Sequence, residues 1–195
     1  MIETTFPAIS DSELTTQEIT TASRHLAVTR GFLVESLSGL SAAQWNFKPE
    51  KDAWSIAEVM EHLVVFEGRV HAIIGNMSNA PESASGGKQI EMDRFVLNEV
   101  AKRTIKINAP IPVRPTHRWS GPEALQLFIA SRRQTIQLLA APLLRGRVMP
   151  HPFFGPWDGY QWLLAVASHT ARHTEQIREV KADRSFPQAS TPPLY

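Results

Sequence analysis

The stretch GYQWLLAVASHTARHTEQIREVK, residues 159–181, reads as one long amphipathic helix. Trp162, Val166, His169, His173, then Gln176 or Ile177, and finally Val180 recur at steps of three and four, so they share one face. Asp158 and Gln161 have the spacing of a capping box, in which each side chain satisfies an otherwise orphaned backbone N–H. Trp157 and Trp162 stand where a hydrophobic staple would close the entry. Gly155 and Pro156 mark the preceding turn. Two histidines therefore occupy positions that a helical core reserves for apolar side chains. Four residues apart, they project about 40° from each other on adjacent turns, and two such imidazoles can reach one metal ion. On spacing alone, two hydrogen-bonded core histidines are the simpler account.

Three further segments carry the same period. The first spans about Thr16 to Ser38, with Thr15 and Glu18 as capping box and Ile19, Ala22, Leu26, Thr29, Leu33 and Leu37 as buried stripe. Gly39 supplies the left-handed stop. The second spans about Ile56 to Gly75, capped by Ser55 and Glu58 and stapled by Trp54 and Val59. Its stripe is Val59, Leu63, Phe66, Val70 and Ile73. The third begins near Gly121, with Ser120 and Glu123 as cap and Pro122 in the first turn, where a missing N–H does no harm. Leu125, Phe128, Ile129, Ile136 and Leu139 form its apolar side, and Pro142 ends it. About 45 residues separate the second and third helices. Within them Asn79 to Lys88 reads as an irregular loop, Met92 to Lys102 as a short helix, and Pro110, Pro112 and Pro115 as extended chain. No strand alternation is sustained. The pattern predicts an all-α, antiparallel four-helix bundle with one long crossover, which keeps the second and third helices from being simple antiparallel neighbours.

The chain has 195 residues, enough for one domain with a core over about residues 15–183 and irregular tails. Its 20 Lys and Arg nearly cancel 19 Asp and Glu, so nothing in the charge draws it to nucleic acid or anionic lipid. No run approaches the roughly 18–20 apolar residues that span a bilayer, and residues 1–11 have no apolar leader core. A cytoplasmic protein is expected. The absence of cysteine removes disulfides, thiolate metal sites and a cysteine nucleophile together. Any metal site must then be built from the seven histidines and the carboxylates.

Among these, His62 lies beside the buried stripe of the second helix. His71, nine residues on and about 180° around, is then a surface residue. His25 borders the first helix, and His117 and His151 fall in loops. The zinc-protease motif fails because Thr170, not glutamate, follows His169. No glutamate has a histidine three residues later, which excludes a ferritin-like di-iron site. There is no nucleophile elbow, P-loop or dinucleotide fingerprint. Ser83, Ser85, Gly86 and Gly87 read as loop rather than phosphate cradle.

The run Trp54-Ser55-Ile56-Ala57-Glu58 leading to His62, and His169-Thr170-Ala171-Arg172-His173-Thr174-Glu175-Gln176-Ile177, resemble the signatures of helices two and four in the DinB/YfiT-like superfamily. His151-Pro152-Phe153-Phe154-Gly155, and Trp45 with Pro49, are similar as well. The resemblance implies a four-helix bundle whose metal ligands are His62, His169 and His173. It also implies a low-molecular-weight thiol cosubstrate such as bacillithiol or mycothiol, an electrophilic second substrate, and a homodimer formed through exposed helix faces. Three neutral imidazoles leave a divalent ion its full charge, and zinc or nickel is the expected metal, although imidazole also suits iron and copper. The resemblance implies a metal-dependent S-transferase or isomerase. A hydrolase using water in place of thiol, and a non-catalytic metal- or ligand-binding module, are the alternatives. Gln176 and Glu58 are candidates to orient a ligand histidine through its second ring nitrogen, a helix cap being the simpler role for Glu58. Phe154, Trp157, Tyr160 and Arg172 are candidate pocket residues.

Overall fold

The computed structural model describes residues 13–83, 90–104 and 108–188. Its elements are α1 (Thr16–Ser36), α2 (Ala42–Asn46), α3 (Ile56–Gly75), α4 (Ile90–Asn98), α5 (Gly121–Gln137), a hairpin of β1 (Val148–His151) and β2 (Gly155–Asp158), and α6 (Gly159–Lys181). The four long helices start where the capping boxes predict: Thr15 with Glu18, Ser55 with Glu58, Ser120 with Glu123 and Asp158 with Gln161 all make both reciprocal bonds. A fifth box, Ser41 with Gln44, starts α2. Gly39 has φ +70° just past α1, as expected of a left-handed stop. Residues 1–12 and the loop positions Ser85, Gly86 and Gly87 lie outside the described residues.

The long helices form a four-helix bundle. Tyr160 Oη donates to the Glu18 carbonyl at one end of α6, and Lys181 Nζ donates to the Ser36 carbonyl at the other, so α1 and α6 run parallel. Glu61 meets Thr116 just before α5, and His71 meets Thr135 near its end, so α3 and α5 are also parallel. Trp54 and Phe66 lie over His173 and His169 respectively, which sets α3 antiparallel to α6. The crossover therefore leaves α3 and α5 as neighbours but makes them parallel, so they are not simple antiparallel neighbours, and α1 and α6 form a second parallel pair in the bundle.

Helix α6 is buried on nearly every face from Gly159 to Ser168, packed by α1, α3 and α4. Its apolar run is what an all-round buried helix requires. Close approach elsewhere depends on Gly121: a Cβ there would sit 2.2 Å from the Trp45 ring. The hairpin was not anticipated, since four-residue strands interrupted by Pro150 carry too little alternation to read. Gly155, at φ +82°, closes its turn in a conformation open to glycine.

The core has two apolar clusters. One gathers Leu26, Val70, Trp157, Trp162 and Val166; the other gathers Leu33, Val59, Leu63, Phe128 and Ile177. A polar layer lies at their junction. The fully buried Arg132 guanidinium reaches Glu67 (Nε to Oε1 2.9 Å), the Leu26 carbonyl (2.9 Å) and Thr170 Oγ1 (2.7 Å). Thr135 Oγ1 donates to Glu67 at 2.5 Å, and His71 Nε2 lies 2.7 Å from the same hydroxyl. His71 is thus half-buried in this network rather than a surface residue. The same network turns α5: Ala124, Phe128, Arg132 and Thr135 are its buried line, while Ile136 is exposed and Leu125 and Ile129 are half-buried. Ile19 of α1 is exposed too. A second buried guanidinium, Arg145, bonds Glu18, Asp93 and Asp158 at 2.7 Å each and ties α1, α4 and the start of α6 together.

Removing one partner of a buried pair strands the other. Arg132→Ala is expected to lower unfolding stability by about 3–5 kcal/mol, measured by urea denaturation. The double variant Arg132→Met, Glu67→Leu should recover most of that loss.

Candidate metal centre

His62 lies in the second turn of α3, and His169 and His173 lie one turn apart on α6. Their Nε2 atoms converge. His62 Nε2 is 3.2 Å and His173 Nε2 is 3.1 Å from His169 Nε2, and the three ligand atoms all lie within 4.8 Å of one another. His62 and His173 are buried; His169 is half-buried.

The second ring nitrogens decide what the converging atoms carry. His62 Nδ1 is 2.6 Å from the Val113 carbonyl, which can only accept, so Nδ1 bears the proton and Nε2 presents a lone pair. His173 Nδ1 donates to Gln176 Oε1 at 2.7 Å, and Arg103 Nη1 approaches that oxygen at 3.4 Å, which holds the amide with its oxygen inward. His173 Nε2 is then a lone pair as well. Two lone pairs aimed at a third nitrogen repel unless a proton or a cation lies among them. His169 Nδ1 is buried and has no hydrogen-bond partner among the described residues, so none of them dictates its tautomer. Three nitrogens about 2.0–2.1 Å from one ion at tetrahedral angles would lie about 3.3 Å apart, close to the spacings here. The donor set fits a divalent cation: the cluster could hold a metal ion.

The surroundings keep the rings neutral. Burial pushes His62 down to about 4, against which the Val113 carbonyl pulls weakly upward. Burial, followed by mutual repulsion among the rings, holds His169 and His173 well below the ordinary histidine range. Trp54 covers His62 at 5.0 Å between ring centroids, and Phe66 stacks on His169 at 4.0 Å.

The trio opens on a cleft of about 1260 Å³ bounded by the crossover, the hairpin and α6. Phe154, Trp157 and Arg172 line it, as expected. Arg172 bonds the Lys102 carbonyl of the crossover. Tyr160 does not line it: its hydroxyl bonds α1 and its ring lies under Arg145 at 4.2 Å. Gln176 orients His173 as expected, whereas Glu58 does not reach His62. The Glu58 carboxylate is taken by the Ser55 N–H (2.7 Å) and Lys48 (2.7 Å), so it is a cap only. His117, at φ +60°, lies on the surface 3.5 Å from Glu58. His151 is no loop bystander; it ends β1 and lines the cleft. Reading the sequence missed Val113, because a backbone carbonyl leaves no signature, and Arg103, which lies over 70 residues from its partner.

Metal-free chain is expected to keep its stability above pH 7 and lose it as pH falls from about 6.5 through about 4. Unfolded imidazoles take up protons there that the folded His62 refuses. Urea midpoints against pH would show this, with a shallower fall in His62→Leu.

The DinB superfamily model matches residues 25–177, a span that includes all three histidines. An uncharacterised protein of Bacillus subtilis strain 168, YuaE, is 28% identical over 149 residues, covering 74% of this chain and 88% of its own. The crystal structure of TT2238, described as a four-helix bundle protein, superposes with a TM-score of 0.53 at 19% identity, covering 83% of this chain and 98% of that one. No helix among the described residues is long and apolar enough to cross a membrane. By its fold and the extent of the match, the chain belongs to the DinB superfamily.

Proposed function

We propose that this protein is a metal-dependent S-transferase or isomerase in which His62, His169 and His173 hold a divalent ion, zinc or nickel, beside a low-molecular-weight thiol. The observation that carries the reading is the pair of imidazole lone pairs directed at a third ring across 3.1–3.2 Å. A divalent ion bound by neutral imidazoles acidifies a thiol, as it does water. The chain supplies the rest. Val113 and Gln176 fix the rings with Nε2 inward, and Trp54 and Phe66 exclude water from two of their faces. The open cleft leaves room for a thiol and an electrophile together. The sulfur must come from a small molecule, because the chain has no cysteine.

A closed structural zinc site usually has four protein ligands. Among the described residues the cluster offers three, which supports a reactive site over a structural one. Homodimerisation and a cytoplasmic location belong to the same reading.

Purified protein should carry about one equivalent of metal by elemental analysis, and His169→Ala should carry almost none. Unchanged metal content in that variant would sink the assignment. Gln176→Ala should weaken metal affinity by about 10- to 100-fold in chelator competition. With 1-chloro-2,4-dinitrobenzene as generic electrophile, turnover should require added thiol. Turnover that persists without thiol would make the protein a hydrolase instead.

A further inference from the structure

The hairpin side of the cleft has a chemistry that the three histidines do not use. His151 stacks on Trp157 at 4.0 Å with an interplanar angle of 26°, and on Phe154 at 4.9 Å and 17°. Trp162 lies 5.1 Å away, and Phe95 meets Phe154 at 5.4 Å. These rings line the same cleft as the metal-site histidines. Trp157 and Trp162 are buried and back the face, while the half-buried His151, Phe154 and Phe95 form the accessible wall, which suits a flat, apolar group.

One polar group interrupts that wall. The Phe153 backbone N–H donates to His151 Nδ1 at 3.2 Å, so Nδ1 is an acceptor and the ring proton resides on Nε2. That Nε2–H has no partner among the described residues and is not buried, and the ring lines the cleft. Burial holds His151 down at about 4, which keeps the ring neutral at ordinary pH. The ring is therefore a single N–H donor of fixed direction rather than a proton carrier. The indole N–H groups of Trp157 and Trp162 are buried behind the ring and do not reach the cleft. The one donor on the hairpin's aromatic face, His151 Nε2–H, is complementary to a ligand that brings oxygen.

We propose that His151 and the aromatic hairpin form the seat of the electrophilic substrate, a planar aromatic or conjugated molecule bearing a carbonyl-type oxygen, with His151 Nε2–H donating to that oxygen. The assignment of this molecule as the electrophile rests on the thiol-transfer reading above; the seat itself does not. Specificity then divides between the two sides of the cleft, with the histidine trio facing the thiol and the hairpin selecting its acceptor.

The test uses acetophenone, and ethylbenzene as a match in shape without the oxygen, titrated against the full chain in ligand-observed NMR with no thiol present. Wild type should bind acetophenone about three- to tenfold more tightly than ethylbenzene, the worth of one neutral hydrogen bond. His151→Phe keeps a ring for stacking and should bind both equally. A variant-free measurement guards against misfolding: in ¹⁵N-histidine-labelled wild type, the His151 Nε2 resonance should shift with acetophenone and stay in place with ethylbenzene. Equal binding of the two ligands by wild type, or an unmoved Nε2 resonance, overturns the seat. If the preference holds while thiol-dependent turnover is absent, the seat stands and the transferase reading falls. If turnover is thiol-dependent but indifferent to His151→Phe, the transferase reading stands and the assignment of the seated molecule as its electrophile falls.

Discussion

Two imidazole lone pairs held against a third nitrogen at about 3 Å form an arrangement that no free set of side chains would keep. Each ring must be prevented from turning away, and much of the surrounding structure has that effect. Helix α6 carries two of the rings and is buried along most of its length, which leaves it little freedom to roll. Helix α3 carries the other ring and is tied through Glu67 to Arg132, whose guanidinium also bonds Thr170, the residue next to His169. The buried ion pair and the histidine trio are therefore two sides of one polar layer between the apolar clusters. Such a pair adds little net stability over an apolar replacement, but breaking it strands a charge. It serves here to hold α3, α5 and α6 in one register.

The crossover is as much a part of the site as the helices. Val113 sets the tautomer of His62, and Arg103 steadies the amide that sets the tautomer of His173. Arg103 is in turn clamped on Glu179 by two bonds of 2.7 and 2.8 Å. Outer partners of this kind orient imidazoles and raise their basicity as ligands. His169 has no such partner, and its orientation comes from packing against Phe66. The three rings are thus held by three different means.

Much of this was legible in the sequence, for identifiable reasons. Capping boxes are local, so four helix starts could be read to the residue. The histidine pair on α6 stood out because it broke an otherwise apolar stripe; His62 could be placed beside the buried stripe, between Val59 and Phe66, and its role as a third ligand came from the family resemblance. What escaped reading was non-local or made of backbone. Nothing local announces that Arg132 faces Glu67, and an apolar stripe drawn without that pair placed Ile136 in the core. Tyr160 sits beside Trp157 in sequence, yet the first turn of α6 points it at α1. His151 was passed over because its role needs Trp157, Phe154 and the Phe153 N–H placed around it by a hairpin too short to announce itself. Glu58 has the spacing of an orienting residue and of a cap, and the Ser55 N–H and Lys48 decide for the cap.

The parallel pairing of α1 with α6 has a consequence for how the chain comes into being. Helix α1 leaves the ribosome long before α6, the helix it packs along. Until residues 159–181 emerge, Leu26 and Ala22 lack much of the surface that will cover them. The Arg132 guanidinium likewise lacks Thr170. Contacts of such long sequence separation close late and slowly. The nascent chain thus exposes an apolar helix face until α6 is made, the condition under which chains recruit chaperones or aggregate. Completion of the bundle and assembly of the histidine trio are then a single event, since both wait for the same final helix.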